Sequence, residues 1–85
     1  MISLFEFPCQ FPLKVMGKAA ADFDAYVVEI VRRHVPGLTE GAVRSQLSRN
    51  GNYVSITVTF EASSQEQLDA LYRELTGSDR TLMVL

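Results

Sequence analysis

An Asn-Gly pair at residues 50 and 51 separates two segments in which apolar and polar residues alternate. This pair is typical of a two-residue type I′ turn, because both central residues of that turn need a positive φ. The segment from Ala42 to Ala62 therefore predicts an antiparallel β-hairpin. A turn centred on Gly51 and Asn52 preserves the same strand faces and remains an alternative.

The alternation also predicts the register of the hairpin. A two-residue turn sets Leu47 opposite Val54 and Val43 opposite Val58, so the apolar side chains of both strands share one face. A shift by one residue would move one apolar set into water. We therefore expect a sheet with one buried face and one open, solvent-facing face.

Two helices and two further strands are predicted around the hairpin. Phe23, Val27, Ile30 and Val31 form a stripe at helical spacing, with Asp22 as the N-cap. The predicted elements are a strand at Phe11–Lys18, a helix from Asp22 to about Val35, a second helix that begins at Ser64, and a strand at Thr81–Leu85, in which Leu82 and Val84 point inward.

This order of elements predicts an α+β fold of the ferredoxin-like, ACT-like type. Its plan is βαββαβ, with a four-stranded antiparallel sheet and both helices on one face, because crossovers are right-handed. The first and third strands are central, and the second and fourth are edges. Residues 11–85 form one domain, and residues 1–10, with Pro8 preventing a helix, form an extended arm.

Composition excludes several classes of protein. Eight basic and ten acidic residues give a net charge of −2, so a nucleic-acid partner is not expected. Cys9 is the only cysteine, which excludes an internal disulfide and a four-cysteine metal site; no cofactor is expected. We find no signal peptide or membrane segment and expect a cytoplasmic protein.

Catalysis is not indicated either. His34 is the only histidine, and no Ser, Cys or carboxylate pattern accompanies it in the sequence. It lies at the predicted end of the first helix, where a cation interacts favourably with the helix dipole. We expect a position at the edge of the core for His34, and no enzymatic activity.

Several short segments resemble the small bacterial YbeD-like family. They are Phe7-Pro8, Phe11, Lys14-Val15-Met16-Gly17, Gly51-Asn52-Tyr53 with Ser55-Ile56-Thr57, Leu71-Tyr72-x-x-Leu75, and the terminal Met83-Val84-Leu85. The resemblance covers nearly the whole chain. It implies an ACT-like domain similar to regulatory domains that bind small molecules such as amino acids, in a family without an established activity.

The predicted topology brings together one candidate ligand site. The end of the first strand, the start of the first helix and the hairpin turn meet at one end of the molecule. Free N–H groups at a helix start suit an anion. The candidate ligand-binding residues are Gly17, Lys18, Arg49, Asn50 and Asn52.

A second candidate surface is a partner contact, with a homodimer as one form of it. The fourth strand is an edge without charged side chains after Arg80, and exposed edges invite pairing. The arm is equally apolar; alternatively, it covers that edge within one molecule. The candidate contact residues are Leu4, Phe5, Phe7, Leu82, Met83 and Leu85.

The predicted function is a non-enzymatic binding or regulatory module that acts through a protein partner or a small-molecule ligand. The alternative is a weak RNA-binding module that uses the open sheet face. That face would carry Lys14, Lys18 and Arg44, with Tyr53 as its only aromatic residue. RNA readers of this fold stack bases on several aromatics, so this alternative is the weaker one.

Overall fold

The computed structural model describes residues 6–85, except for the side chain of Glu40. Leu4 and Phe5 of the predicted contact surface lie outside the described residues. The elements in chain order are β1 (Cys9–Lys18), α1 (Phe23–His34), a short 3₁₀ helix (Glu40–Ala42), β2 (Val43–Leu47), β3 (Tyr53–Ala62), α2 (Gln65–Thr76) and β4 (Thr81–Val84).

The strands form one antiparallel sheet in the order β2-β3-β1-β4, which confirms the predicted fold and the two central strands. β1 begins at Cys9 rather than at Phe11. The reason is its partner: Cys9 pairs with Ala62 and Gln10 with Glu61, so β3 extends β1 into the segment interpreted as the arm. Cys9 and Phe11 are half-buried and alternate with exposed Gln10 and Pro12, so the alternation of β1 continues through a segment in which the prolines favoured an arm.

The predicted hairpin register is confirmed, but the turn differs. Leu47 pairs with Val54 and Val43 with Val58. The Ser48 N–H donates to the Tyr53 carbonyl at 2.8 Å, which leaves a four-residue loop over 49–52. Gly51 has a φ of 74°, but no residue other than glycine has a positive φ in the described chain, so φ at Asn50 is not positive. The turn is therefore not type I′; the register is the same because the loop gains one residue on each side.

The core lies between the sheet and the two helices, which pack on one face. Leu13 and Val15 of β1 alternate into it, as do Ile56 and Val58 of β3. Ser64 is the N-cap of α2, and its hydroxyl accepts from the Gln67 N–H at 3.1 Å. The helices contribute the buried residues Phe23, Val27, Ile30, Val31, Leu68, Leu71 and Leu75.

Two leucines predicted to face the core are exposed at the sheet edges. Leu47 is 62% exposed and Leu82 is 54% exposed. Leu47 ends the edge strand β2 and lines the open depression beside the start of α1. Leu82 is the extra residue of a bulge, because Met16 pairs with Met83 and Gly17 with Thr81. Correct alternation does not ensure burial at an edge.

Candidate functional site

The hairpin end of the sheet brings the predicted ligand-binding residues to one side of the molecule. Lys18 pairs with Tyr53, and the Ala19 N–H donates to the Asn52 carbonyl at 3.0 Å. The side chains of Lys18, Arg49, Asn50 and Asn52 are all exposed here. Two cationic and two amide side chains are therefore exposed to solvent at the same end of the sheet. Their role in binding a ligand stays a prediction.

Gly17, the fifth predicted residue, is buried. A Cβ at this position would lie 2.5 Å from the Arg80 carbonyl oxygen and 2.5 Å from the Phe23 ring. Such distances are far below van der Waals contact. The absence of a side chain at Gly17 thus serves close packing of β1 against α1 and the α2–β4 loop, rather than the approach of a ligand.

The start of α1 carries negative charge of its own. Asp22 is the N-cap, but its carboxylate makes no capping hydrogen bond, contrary to the sequence prediction. The Arg80 guanidinium instead donates to both carboxylate oxygens, at 2.7 and 3.1 Å. Asp24 accepts from the Ala25 N–H at 2.8 Å. Two carboxylates at this terminus disfavour an anion there, and leave Lys18 and Arg49 as the cationic groups of the candidate site.

Arg80 is held in place by aromatic rings as well as by Asp22. Its guanidinium carbon lies 4.6 Å from the centre of the Tyr26 ring and 5.6 Å from that of Phe23. The Tyr26 hydroxyl shares a hydrogen bond with Ser78. The hydrogen bonds from Arg80 lower the pKa of Asp22, and the same contact raises the pKa of Arg80. This cluster connects α1 to the loop before β4; residues 58 positions apart form it, so the sequence did not reveal it.

A depression of about 460 Å³ lies beside the hairpin tip on the helix side. Gly51, Leu47 and Ala20 contribute to its lining, together with Asp24. None of the five predicted ligand-binding residues lines it. Its walls are mostly apolar, so it is a different surface from the polar one formed by Lys18, Arg49 and the two asparagines.

His34 lies at the edge of the core, as predicted. Its Nε2 lies 2.8 Å from a Glu74 carboxylate oxygen, and Arg33 donates to the other oxygen. The Gln67 side chain donates to the His34 carbonyl at 2.7 Å. These contacts join the end of α1 to α2. The carboxylate partner was missed, because it comes from 40 residues further along the chain.

The predicted partner surface is exposed in its β4 part. Leu82, Met83 and Leu85 are 54%, 50% and 57% exposed, and β4 has β1 as its only strand neighbour among the described residues. Phe7 instead is half-buried and packs against the core of its own domain. Phe7 therefore packs within its own molecule, whereas coverage of the β4 edge by the arm stays a prediction.

The βαββαβ order, the antiparallel sheet and the two helices on one face define a small ferredoxin-like α+β domain. Its helices have 12 residues each, and no helix of the described chain is long and apolar enough to span a membrane. Among the side chains that the structure describes, no group of three or more His, Cys, Asp or Glu could hold a metal ion.

A family model described as a protein of unknown function (DUF493) matches residues 3–85. A UPF0250 protein of Paraburkholderia phytofirmans is 46% identical over 98% of this chain and 93% of its own length. A UPF0250 protein of Chromobacterium violaceum is 46% identical over 96% and 92%. The chain therefore belongs to the DUF493/UPF0250 family, which confirms the YbeD-like resemblance.

The solution structure of protein HP0495 from H. pylori is similar in fold, with a TM-score of 0.73. The match covers 99% of this chain and 88% of HP0495, at 14% sequence identity. At that identity the likeness concerns the fold alone.

Proposed function

We propose that this protein is a cytoplasmic, non-enzymatic binding or regulatory module that acts through a protein partner, and that the partner contacts β4. The observation that carries the proposal is the exposed apolar patch of Leu82, Met83 and Leu85, which we call the β4 patch. Burial of apolar surface contributes about 25 cal/mol per Å². Three half-exposed apolar side chains on one edge therefore favour association.

The opposite edge is less suited to a partner. β2 also exposes an apolar residue, Leu47, but its neighbours Arg44 and Gln46 are polar and exposed. Desolvating an unpaired charge opposes association. β4 carries no charged side chain between Thr81 and Leu85. The bulge at Leu82 limits strand addition, so we expect a contact made mainly by side chains.

The non-enzymatic part of the proposal is supported by the roles of the ionisable groups in the described chain. The Asp22–Arg80 pair connects α1 to the loop before β4, and Glu74 joins His34 and Arg33 across the helices. Both sets of groups serve contacts between elements. An enzymatic activity of the purified protein that one point substitution abolishes would contradict the proposal that the protein is not an enzyme.

The β4 patch is tested with a pair of matched variants. Leu82→Asp with Met83→Asp should abolish self-association measured by sedimentation velocity, or binding to a partner purified to homogeneity. Leu47→Asp with Ser45→Asp places the same charge on the opposite edge strand and should leave the association intact. Both variants should remain folded, since Leu82, Met83, Leu47 and Ser45 are exposed. Loss only in the β2 variant would assign the contact to the other edge.

A small anionic ligand is a second candidate, favoured by the exposed cations Lys18 and Arg49 at the hairpin end. Chemical-shift mapping with a panel of carboxylate and phosphate metabolites tests it. We expect shifts centred on Lys18, Arg49 and Asn52. Shifts centred on another surface would contradict this candidate. The variant Lys18→Gln removes one of the two cations and should weaken the binding.

A further inference from the structure

The charges of this chain are separated between the two layers of the fold. The strands carry three basic side chains (Lys14, Lys18 and Arg44) and one acidic one, Glu61. The two helices carry five acidic side chains and three basic ones. The whole chain has a net charge of −2, but its sheet is basic and its helical layer is acidic.

The cations of the open sheet face have no carboxylate partners in the described chain. The ion pairs of the described chain are made by Arg33, His34 and Arg80 instead, and all three lie in or beside the helical layer. Lys14, Lys18 and Arg44 are exposed, and Arg49 borders the same face at the hairpin end. Glu61 lies at the opposite end of the sheet, where it pairs with Gln10. No side-chain carboxylate of the described chain therefore pairs with the cations of this face.

The face also has a concave part, which spans β2, β3 and β1. A shallow depression of about 500 Å³ is lined by Lys14, Arg44, Gln46, Ser55 and Thr57. Thr57 pairs with Lys14 on one side and with Arg44 on the other, so the two cations flank it. Neighbouring strands are about 4.8 Å apart, which separates the backbones of Lys14 and Arg44 by about 10 Å. The hydroxyl and amide groups between them supply hydrogen-bond donors.

We propose that the open sheet face binds an acidic segment of a partner polypeptide in an extended conformation, with carboxylates at Lys14 and Arg44. This surface adjoins the β4 patch, because Met83 pairs with Met16 and Leu85 pairs with Lys14, but the inference depends on the cations and not on the apolar side chains. Charge complementarity favours the assignment. The cations extend from Lys14 to Lys18, about 13 Å along β1 at the ordinary rise per residue. One small anion cannot neutralise a row of that length, whereas an acidic polypeptide can.

Single-stranded RNA fits the same face less well. Among the strand residues, Tyr53 is the only aromatic side chain on the open face, and it pairs with Lys18 rather than with Lys14. The depression between Lys14 and Arg44 is lined by hydroxyls and an amide, without a ring. Base recognition by this fold relies on aromatic stacking, and the depression offers none.

The experiment uses a fluorescein-labelled ten-residue peptide of alternating Glu and Thr, followed by anisotropy at low and at physiological salt. The full-length protein should bind it at low salt and more weakly at physiological salt, because exposed charges are screened. Lys14→Gln with Arg44→Gln should weaken binding by about tenfold, since two exposed ion pairs are lost. Arg32→Gln with Arg73→Gln removes two exposed helical cations and should weaken it less than twofold.

The outcomes that overturn the proposal are distinct. No binding at low salt overturns it, as does an equal loss in the two double variants, which would indicate only a net-charge effect. The proposal also fails if inorganic phosphate competes for the labelled peptide as effectively as unlabelled peptide does. That result would indicate a simple anion site. Mixed-sequence single-stranded RNA that binds more tightly, with a loss on Tyr53→Ala, would assign the face to RNA. Peptide binding that survives Leu82→Ser with Met83→Ser, which removes apolar side chains without adding charge beside Lys14, separates this surface from the β4 patch.

Discussion

Gly17 and Phe23 are packed so closely that a methyl group at Gly17 would lie 2.5 Å from the Phe23 ring. The contact joins the end of β1 to the first residue of α1. The Arg80 carbonyl oxygen would lie equally near that methyl group, so backbone as well as an aromatic ring would have to shift to accommodate it. Gly17 thus sets the approach of three elements at the hairpin end of the molecule.

Gly17→Ala should lower the free energy of unfolding by about 1–3 kcal/mol, the usual range for overpacking a core. Urea denaturation followed by circular dichroism measures it. Gly41→Ala is the matched control, because nothing lies within 4 Å of its added Cβ; it should change stability by less than about 0.5 kcal/mol. Equal effects of the two substitutions would contradict the close packing at Gly17.

The hairpin loop is tested by two neighbouring substitutions. Gly51→Ala should cost about 1–2 kcal/mol, because φ at this residue is 74°, in the left-handed region that disfavours a Cβ. Asn50→Ala should cost less than about 0.5 kcal/mol, because φ is not positive there. A type I′ turn would instead make both substitutions costly. Equilibrium unfolding of the two variants therefore distinguishes the observed loop from the predicted one.

Leu71→Ala should destabilise the domain by about 2–5 kcal/mol, because the side chain is fully buried between α2 and the sheet and its removal leaves a cavity. Leu47→Ala changes the same residue type at an exposed edge, and should cost less than about 0.5 kcal/mol. Thermal and urea unfolding should give the same order. A large loss in Leu47→Ala would mean that a second molecule covers it in solution.

The Asp22–Arg80 contact predicts a dependence of stability on pH. Hydrogen bonds from Arg80 hold the pKa of Asp22 below its ordinary value of 3.8. The pair therefore stabilises the fold above pH 3.8, and this contribution is lost as the pH falls through the lower pKa of the folded state. In Asp22→Asn, the free energy of unfolding should decrease less steeply with acidification.

Titration of the Asp22 carboxyl carbon by NMR measures the same effect directly. In Arg80→Gln the pKa of Asp22 should rise toward 3.8, because the hydrogen bonds and the charge of the guanidinium are gone. Arg73→Gln removes a cation on α2 that does not contact Asp22, and should leave the titration unchanged. An identical Asp22 titration in the wild type and in Arg80→Gln would contradict the contact.

Much of the fold follows from local periodicity. The alternation through Val54, Ile56 and Val58 requires one buried face, and the pairing of Leu47 with Val54 follows because a slip by one residue would expose that face. The stripe through Phe23, Val27 and Ile30 likewise predicts the buried side of α1. Chirality of the crossovers then places both helices on the same side.

The candidate site was predictable only in its outline. Strand order brings Lys18 and the hairpin loop to one end, because antiparallel neighbours begin where the others finish. The burial of Gly17 and the pairing of Asp22 with Arg80 could not be predicted, since they depend on how closely β1, α1 and the loop before β4 approach one another. The distances between these elements also decide which charged side chains form ion pairs.

Residue order thus specifies which side chains share a face, because the periods of strands and helices are properties of the local backbone. The three-dimensional packing decides which members of a face are covered and which charges are paired. Leu47 and Leu82 have the right alternation and remain exposed, one at the end of an edge strand and one in a bulge. Lys14 and Arg44 lie 30 residues apart in the chain and flank Thr57 only because β3 lies between their strands.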